Sequence, residues 1–259
     1  MKNIRFGVCA LPDQVSAAAK AGYDYLEMDL NLLSNLDADE TRRMTDTMEK
    51  HGIYAEVVGG MLPDEVKIIG DHVSAKRIHA ALEQAFSSAR KLGAEMMLFD
   101  CPKARRLPMG FDPAMAWRQL GNFIRMLQSY AADNDMLVAL LPLRRSESDL
   151  LRYTSEATLI SAMLRLDRVG VAASAYNMAM EAETAPALRR CGSLLWHLRL
   201  SNVLGNRFPR KDDGEAYAPI FEALKEIRYE GRICCEGVYT NFEADAAEAL
   251  ALLKNEALR

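Results

Sequence analysis

No stretch of this 259-residue chain is apolar for anything near the roughly 20 residues that a membrane-spanning helix needs. The opening MKNIRFGV lacks the apolar core of a secretory signal, so neither export nor insertion is expected. There is no long basic run, and the net charge is −4, which argues against a nucleic-acid partner. Cysteines are few and scattered: Cys9, Cys101, Cys191, Cys234 and Cys235 form an odd set without zinc-like spacing. Cys234 and Cys235 are adjacent on an extended segment and point to opposite faces, which disfavours a bond between them. A reduced, cytoplasmic protein is expected. The chain also lacks the phosphate loop G-x-x-x-x-G-K-[ST], the nucleophile pattern G-x-S-x-G and any C-x-x-C pair. No Ser/Gly linker or charge run divides it, so residues 1–259 are read as one domain.

What is present is an alternation. Eight short apolar runs (IRFGVC, YDYLEMDL, IYAEVV, EMMLFD, MLVALL, VGVAAS, LLWHLRL and RICCEG) each lead into a helical stretch. Helices are predicted over 12–21, 39–51, 74–92, 112–133, 155–165, 182–190, 217–227 and 243–255. Half of the residues are hydrophobic, enough for a sizeable core. Eight strand–helix units in a chain of this length predict an α/β fold, a single (β/α)8 TIM barrel. Such a barrel carries its chemistry at the C-terminal strand ends, here near Cys9, Asp29, Val58, Asp100, Leu141, Ser174, Arg199 and Glu236.

Alternate side chains of a barrel strand face its interior. In strand seven this groups His197 with Arg199 and sends Trp196, Leu198 and Leu200 outward. Cys234 pairs with Glu236 on strand eight, and Tyr54, Glu56 and Val58 share a face on strand three. A charge near the axis needs a partner, and Arg199 and Glu236 end neighbouring strands, so each is expected to hold the other. The loops after strands four, five and seven add Lys103, Arg105, Arg106, Arg144, Arg145, Arg207, Arg210 and Lys211 at the same barrel end. His51, His72 and His79 are read as surface residues. The fourteen methionines, Met44, Met48, Met96 and Met97 among them, are read as core filling.

Taken together, IYAEVVGGMLP, ARKLGAEMMLFD, ARRLPMGFDPAMAWRQL, VALLPLRRSESDL, VGVAASAYNM and the run from LWHLRLSN to RICCEG resemble the sugar phosphate isomerase/epimerase family of xylose-isomerase-like barrels. The resemblance covers essentially the whole chain and is most specific at its end, where NR-x-x-P and the strand closing in Glu236 fall in order. It implies a site at the ends of strands five to eight where Glu, Asp, His and Glu hold a divalent metal. It also implies proton transfer beside a sugar carbonyl by two carboxylates. At the matching positions this chain has Leu141, Ser174, Arg199 and Glu236, so three of the four ligands are replaced. Leu141 and Arg199 supply no ligand to a hard ion. Arg199 is therefore read as a fixed cation standing where the ion would be, with no metal and no other cofactor expected.

Two functions follow. The first is an isomerase/epimerase-like enzyme acting on a small sugar or sugar-derived substrate without the divalent metal. Glu236 would be its base and Arg199 the group that polarises the carbonyl, with Glu56, Arg105, Asn177, His197 and Arg207 binding substrate. The alternative is an inactive barrel that binds a carbohydrate or an anionic metabolite through its arginines. The expected partner is thus a small sugar or anionic metabolite, with neither nucleic acid nor membrane involved, and self-association into a homo-oligomer is left open.

Overall fold

The computed structural model describes residues 3–258. Eight parallel strands close on themselves in sequence order: β1 Arg5–Cys9, β2 Tyr25–Asp29, β3 Val57–Gly59, β4 Met96–Phe99, β5 Leu137–Leu140, β6 Val169–Ser174, β7 Leu195–Leu200 and β8 Arg232–Cys235. This is the (β/α)8 barrel the alternation predicts. The described residues contain no helix long and apolar enough to cross a membrane.

The outer ring is built by α1 Val15–Ala21, α3 Ala38–His51, α4 Ala75–Lys91, α5 Pro113–Asp133, α6 Thr154–Leu164, α8 Pro186–Cys191, α9 Ala218–Glu226 and α10 Phe242–Leu258. Two short helices, α2 Leu30–Leu33 and α7 Ala175–Met180, leave the C-terminal ends of β2 and β6, where the sequence reading had loops. Helix starts follow side-chain chemistry: Asp37 accepts from the Glu40 N–H, Asp112 from the Ala114 N–H, and Ser74 from the Arg77 N–H. The predicted sixth helix starts late, because Ala182 is left-handed (φ 57°) and Pro186 suits a first turn, so the helix begins there.

The interior is a thin apolar layer, with Tyr25, Val57, Met96, Leu98, Ala139, Leu141, Ala172 and Cys234 buried inside the strands. A larger cluster fills the space between strands and helices and holds Val8, Leu26, Val58, Met97, Val138, Leu198 and Cys235. Cys234 and Cys235 do face opposite ways. Strand three departs from expectation: Val57 faces in and Val58 out. So does Trp196. The β6–β7 register slips at Val171/Ala172, so Leu195 and His197 pair with successive β6 residues and Trp196 is the extra one. Its ring covers Gly170, where a Cβ would stand 2.3 Å from it. Gly7 beneath the Tyr25 ring is a second small-against-large pair.

At the N-terminal end of the barrel, Arg5 and Arg232, first residues of β1 and β8, both reach the Glu56 carboxylate. Arg232 Nη2 lies 3.1 Å from Glu56 Oε2, and Arg5 holds Oε1. Glu56 precedes β3 and so sits at the opposite end from the strand termini. The expectation that it binds substrate is thereby corrected: its two oxygens close an ion-pair cluster at the barrel floor.

Candidate functional site

The C-terminal strand ends gather a guanidinium among carboxylates. Strands β6, β7 and β8 bring Ser174 opposite Arg199 and Arg199 opposite Cys234, one inward step below Glu236. The Arg199 side chain, 17% exposed, points across the barrel mouth. Its Nε lies 2.5 Å from Glu27 Oε1 and 3.7 Å from Glu236 Oε2, and its Nη2 is 3.3 Å from Asp100 Oδ2. Glu236 is a neighbour of Arg199, as expected, but Glu27 is the tighter partner. The charge balance therefore differs from the simple Arg199–Glu236 pair: one guanidinium is shared by three carboxylates, and Asp29 stands nearby on the wall of the same cavity.

Each carboxylate has a further tether. Ser174 donates to Glu236 Oε1 (2.6 Å), the Gly60 N–H donates to Asp100 Oδ1 (3.0 Å), and His197 Nε2 lies 2.7 Å from Glu27 Oε2. Asp29 spends Oδ1 on the Asn31 and Leu32 N–H groups at the start of α2. Glycine is required beside these groups. A Cβ at Gly59 would meet Asp100 Oδ2 at 2.5 Å, and one at Gly60 (φ 70°) would meet Asp29 Oδ1 at 2.4 Å.

Burial and partners pull the acids apart. Burial alone would raise the Glu27 carboxyl, but Arg199 and then His197 overcome it and hold it at about 2. Asp100 and Glu236 go the other way, since burial raises each more than Arg199 lowers it. Burial opposes the Arg199 charge, yet Glu27 and Glu236 hold its pKa well above the ordinary value.

Arg199 divides the mouth in two. On one side is a cavity of about 250 Å³ walled by Cys9, Gln14, Glu27, Asp29, Gly59 and Tyr239. On the other, about 200 Å³ is walled by Asp100, Arg144, Ser174, Tyr176, Asn177 and Glu236. Asn177 is therefore at the site, with its Nδ2 donating to the Pro142 carbonyl (3.1 Å). Arg144 is steered by Tyr176 and Glu147.

Three other sequence candidates are placed differently. His197 is wholly buried beneath Glu27, so it positions that carboxylate and does not reach a ligand. Arg105 is also wholly buried. Its Nη2 donates to the Leu141 carbonyl (2.8 Å), its guanidinium lies over the Phe99 ring, and burial lowers its pKa to about 10. It braces the end of β5 instead of binding substrate. Arg207 is exposed and lines a separate cavity of about 540 Å³ with Arg210 and Lys211, which meets the first only through Tyr239. The reading had missed Glu27 and had given Asp100 no role. Glu27 was legible, because Y-L-E-M-D alternates and puts Tyr25, Glu27 and Asp29 on one inward face.

A closed parallel barrel with acids and a cation converging at its C-terminal strand ends is a (β/α)8 barrel whose polar cluster lies at the end where such barrels carry their sites. A family profile described as xylose isomerase-like TIM barrel matches residues 15–256, and the chain belongs to that family. Among solved structures, D-psicose 3-epimerase crystallised with D-fructose superposes with a TM-score of 0.84 at 18% identity, covering 98% of this chain and 99% of the other. D-allulose 3-epimerase from Methylomonas sp. in complex with D-allulose gives 0.83 at 19%, covering 99% and 98%. The 3-keto-D-glucoside 4-epimerase YcjR from E. coli gives 0.77 at 20%, covering 98% and 100%. At these identities the likeness is one of fold. A sequence comparison with curated proteins finds no match.

At the positions that the resemblance matches to the family's metal ligands, Leu141 is wholly buried in the inner apolar layer, the Ser174 hydroxyl donates to Glu236, and Arg199 places a guanidinium beside Glu236. Neither a leucine nor a guanidinium is a donor to a hard divalent ion.

Proposed function

We propose that this barrel is a sugar isomerase/epimerase-like enzyme that acts on a small sugar or sugar-derived carbonyl compound without the family's divalent metal. Arg199 stands in for the ion by holding the oxygen of the substrate carbonyl as negative charge develops on it. Glu236 removes the proton from the adjacent carbon. The sequence alone left no second base, since Leu141 occupies the strand-five position. The observation that supports this reading is a second carboxylate, Asp100, tethered to the same guanidinium as Glu236, to which we assign the part of the second base. Proton removal by one ionised carboxylate leaves an enediolate beside Arg199, and the other carboxyl, protonated at the outset, gives its proton to the opposite face. The proton has then moved from one carboxyl to the other, and exchange with solvent resets the pair. Glu27 and His197 fix the guanidinium, while Asn177 and Tyr176 on one side and Tyr239 on the other offer polar groups to hydroxyls.

The excess of carboxylates around Arg199 favours an uncharged sugar carbon chain over an anion at the centre. The Arg207 cavity, lined also by Arg210 and Lys211, has the cations to take a phosphate or carboxylate tail. The test is solvent-deuterium incorporation followed by NMR, with ketopentoses, ketohexoses and their phosphates as probes in D2O. Exchange at the carbon next to the carbonyl is expected, unaffected by added Mg²⁺ or Mn²⁺ and abolished by Glu236→Gln for the epimer that Glu236 deprotonates, whereas Asp100→Asn should abolish epimerisation while leaving exchange by Glu236. No exchange across the panel refutes the enzyme reading. The inactive, binding-only alternative has its own support: Glu27 and Asp100 already engage the Arg199 guanidinium. Thermal stabilisation by a member of the panel without exchange identifies that case.

A further inference from the structure

A second cluster lies beside Arg199, on strands β1, β2 and β8, and the closure of the barrel creates it. Strands β1 and β8 are neighbours with Gly7 opposite Cys234, so Cys9 stands one inward step above Cys234 although 225 residues separate them. On the other side of β1, Cys9 is opposite Glu27. The two sulfurs are 3.6 Å apart, and the two Sγ atoms and a Glu27 oxygen all lie within 4.8 Å of one another. We propose that Cys9, Cys234 and Glu27 form a binding site for one thiolate-preferring divalent ion, Zn²⁺ foremost.

Four observations favour the assignment. Zinc–thiolate bonds of about 2.3 Å in a tetrahedron put the two sulfurs about 3.8 Å apart, close to the separation found. The Glu27 oxygens divide the work: Oε1 faces Arg199, whereas Oε2, although buried, has no hydrogen-bond partner. His197 Nε2, 2.7 Å from Oε2, is likewise unpartnered, as is Nδ1, so that contact is close without being aligned as a hydrogen bond. The two thiols and the carboxylate supply three ligands, and solvent from the barrel mouth can take the fourth position of a tetrahedron. The two thiolates formed on binding are offset by the dication itself, so the charge around Arg199 and its three carboxylates is not increased. Cys9 and Glu27 line the cavity of about 250 Å³, which gives an ion a route from the barrel mouth.

The ligand softness separates this site from the family's. Sulfur donors select Zn²⁺ over Mg²⁺ or Mn²⁺, and the donors come from strands one, two and eight instead of five to eight. The site uses neither Glu236 nor Asp100, although it shares Glu27 with the guanidinium. Binding converts two thiols to thiolates, and each ion taken up releases two protons to solvent.

The test uses the full chain, purified under reducing conditions and stripped with a chelator. Zn²⁺ affinity is read by competition with a chromophoric chelator, Co²⁺ ligation by its absorption spectrum, and proton release in unbuffered solution. One ion per chain is expected, with a sulfur-to-cobalt charge-transfer band and about two protons released. Cys9→Ser and Cys234→Ser should each weaken binding at least about 100-fold, beyond the roughly 10–100-fold that losing a ligand's supporting hydrogen bond gives. Cys191→Ser, remote on α8, should leave it unchanged. Uptake that survives both substitutions, or a wild-type Co²⁺ spectrum without a thiolate band, overturns the proposal. The second result needs no variant to fold. Neither result bears on deuterium exchange by Glu236 and Asp100.

Discussion

Replacing Arg199 with methionine keeps much of the side-chain bulk and removes the charge, leaving Glu27 buried beside His197, Cys9 and Cys234 with no guanidinium. In the native protein Glu27 is held at about 2 against an ordinary 4.5. A displacement of that size corresponds to about 3 kcal/mol at neutral pH. It agrees with the roughly 3–5 kcal/mol that follows when one member of a buried ion pair is removed. The pH dependence carries the sharper signature. A depressed folded-state value means that the Glu27 contribution is complete above 4.5 and is lost as pH falls toward 2. In Arg199→Met, burial is no longer outweighed, so the Glu27 value rises above 4.5 and the charged form destabilises the fold at neutral pH. The deficit should therefore be largest near pH 7 and shrink as the pH drops below about 4.5. Urea unfolding of chelator-treated protein at about pH 7 and pH 4 measures it. A deficit under about 1 kcal/mol at pH 7, or one unchanged between the two pH values, refutes the reasoning.

Glu56→Gln should lower stability by loosening Arg5 and Arg232 at the barrel floor. The same variant should leave ligand-induced thermal shifts unaltered, and a lost shift would return Glu56 to the site. Gly170→Ala places a methyl group 2.3 Å from the Trp196 ring and should cost about 1–3 kcal/mol in chemical denaturation. Most of that cost should be recovered when Trp196 is shortened to Leu. Asp213 is held below its ordinary 3.8: the Tyr217 hydroxyl leads, followed by the Arg210 and Glu215 N–H groups, and together they outweigh burial. Its contribution is complete above that value and lost as pH falls through the lowered one. The stability gap between the native chain and Asp213→Asn should accordingly narrow on acidification, as unfolding curves at about pH 6 and pH 3 will show.

The barrel was legible in the sequence because its strands are short apolar runs at regular spacing and its helices carry their own caps. Alternation also put His197 and Arg199 on one inward face and separated Cys234 from Cys235. It failed where the pleat is interrupted. The slip opposite Val171 turned Trp196, and the short β3 left Glu56 at the barrel floor. The site was half legible. Arg199 and Glu236 could be paired because they end adjacent strands, but the tighter partner, Glu27, comes from across the barrel, where only closure brings it near. Arg105 shows the limit of loop position as a guide: it lies in the loop after β4, yet its guanidinium folds back over Phe99 onto the Leu141 carbonyl. The Cys9–Cys234 pair has no spacing signal at all, since the contact exists only because the first strand meets the last.

The central claim is that a guanidinium occupies the place that a hard divalent ion takes in related barrels. Crystals grown or soaked with Mn²⁺ and measured for anomalous scattering test it most directly. The account predicts no manganese among Ser174, Arg199 and Glu236, with the Arg199 side chain in contact with Glu27 and Asp100. A manganese peak coordinated by Glu236, with Arg199 swung out of the mouth, would contradict it.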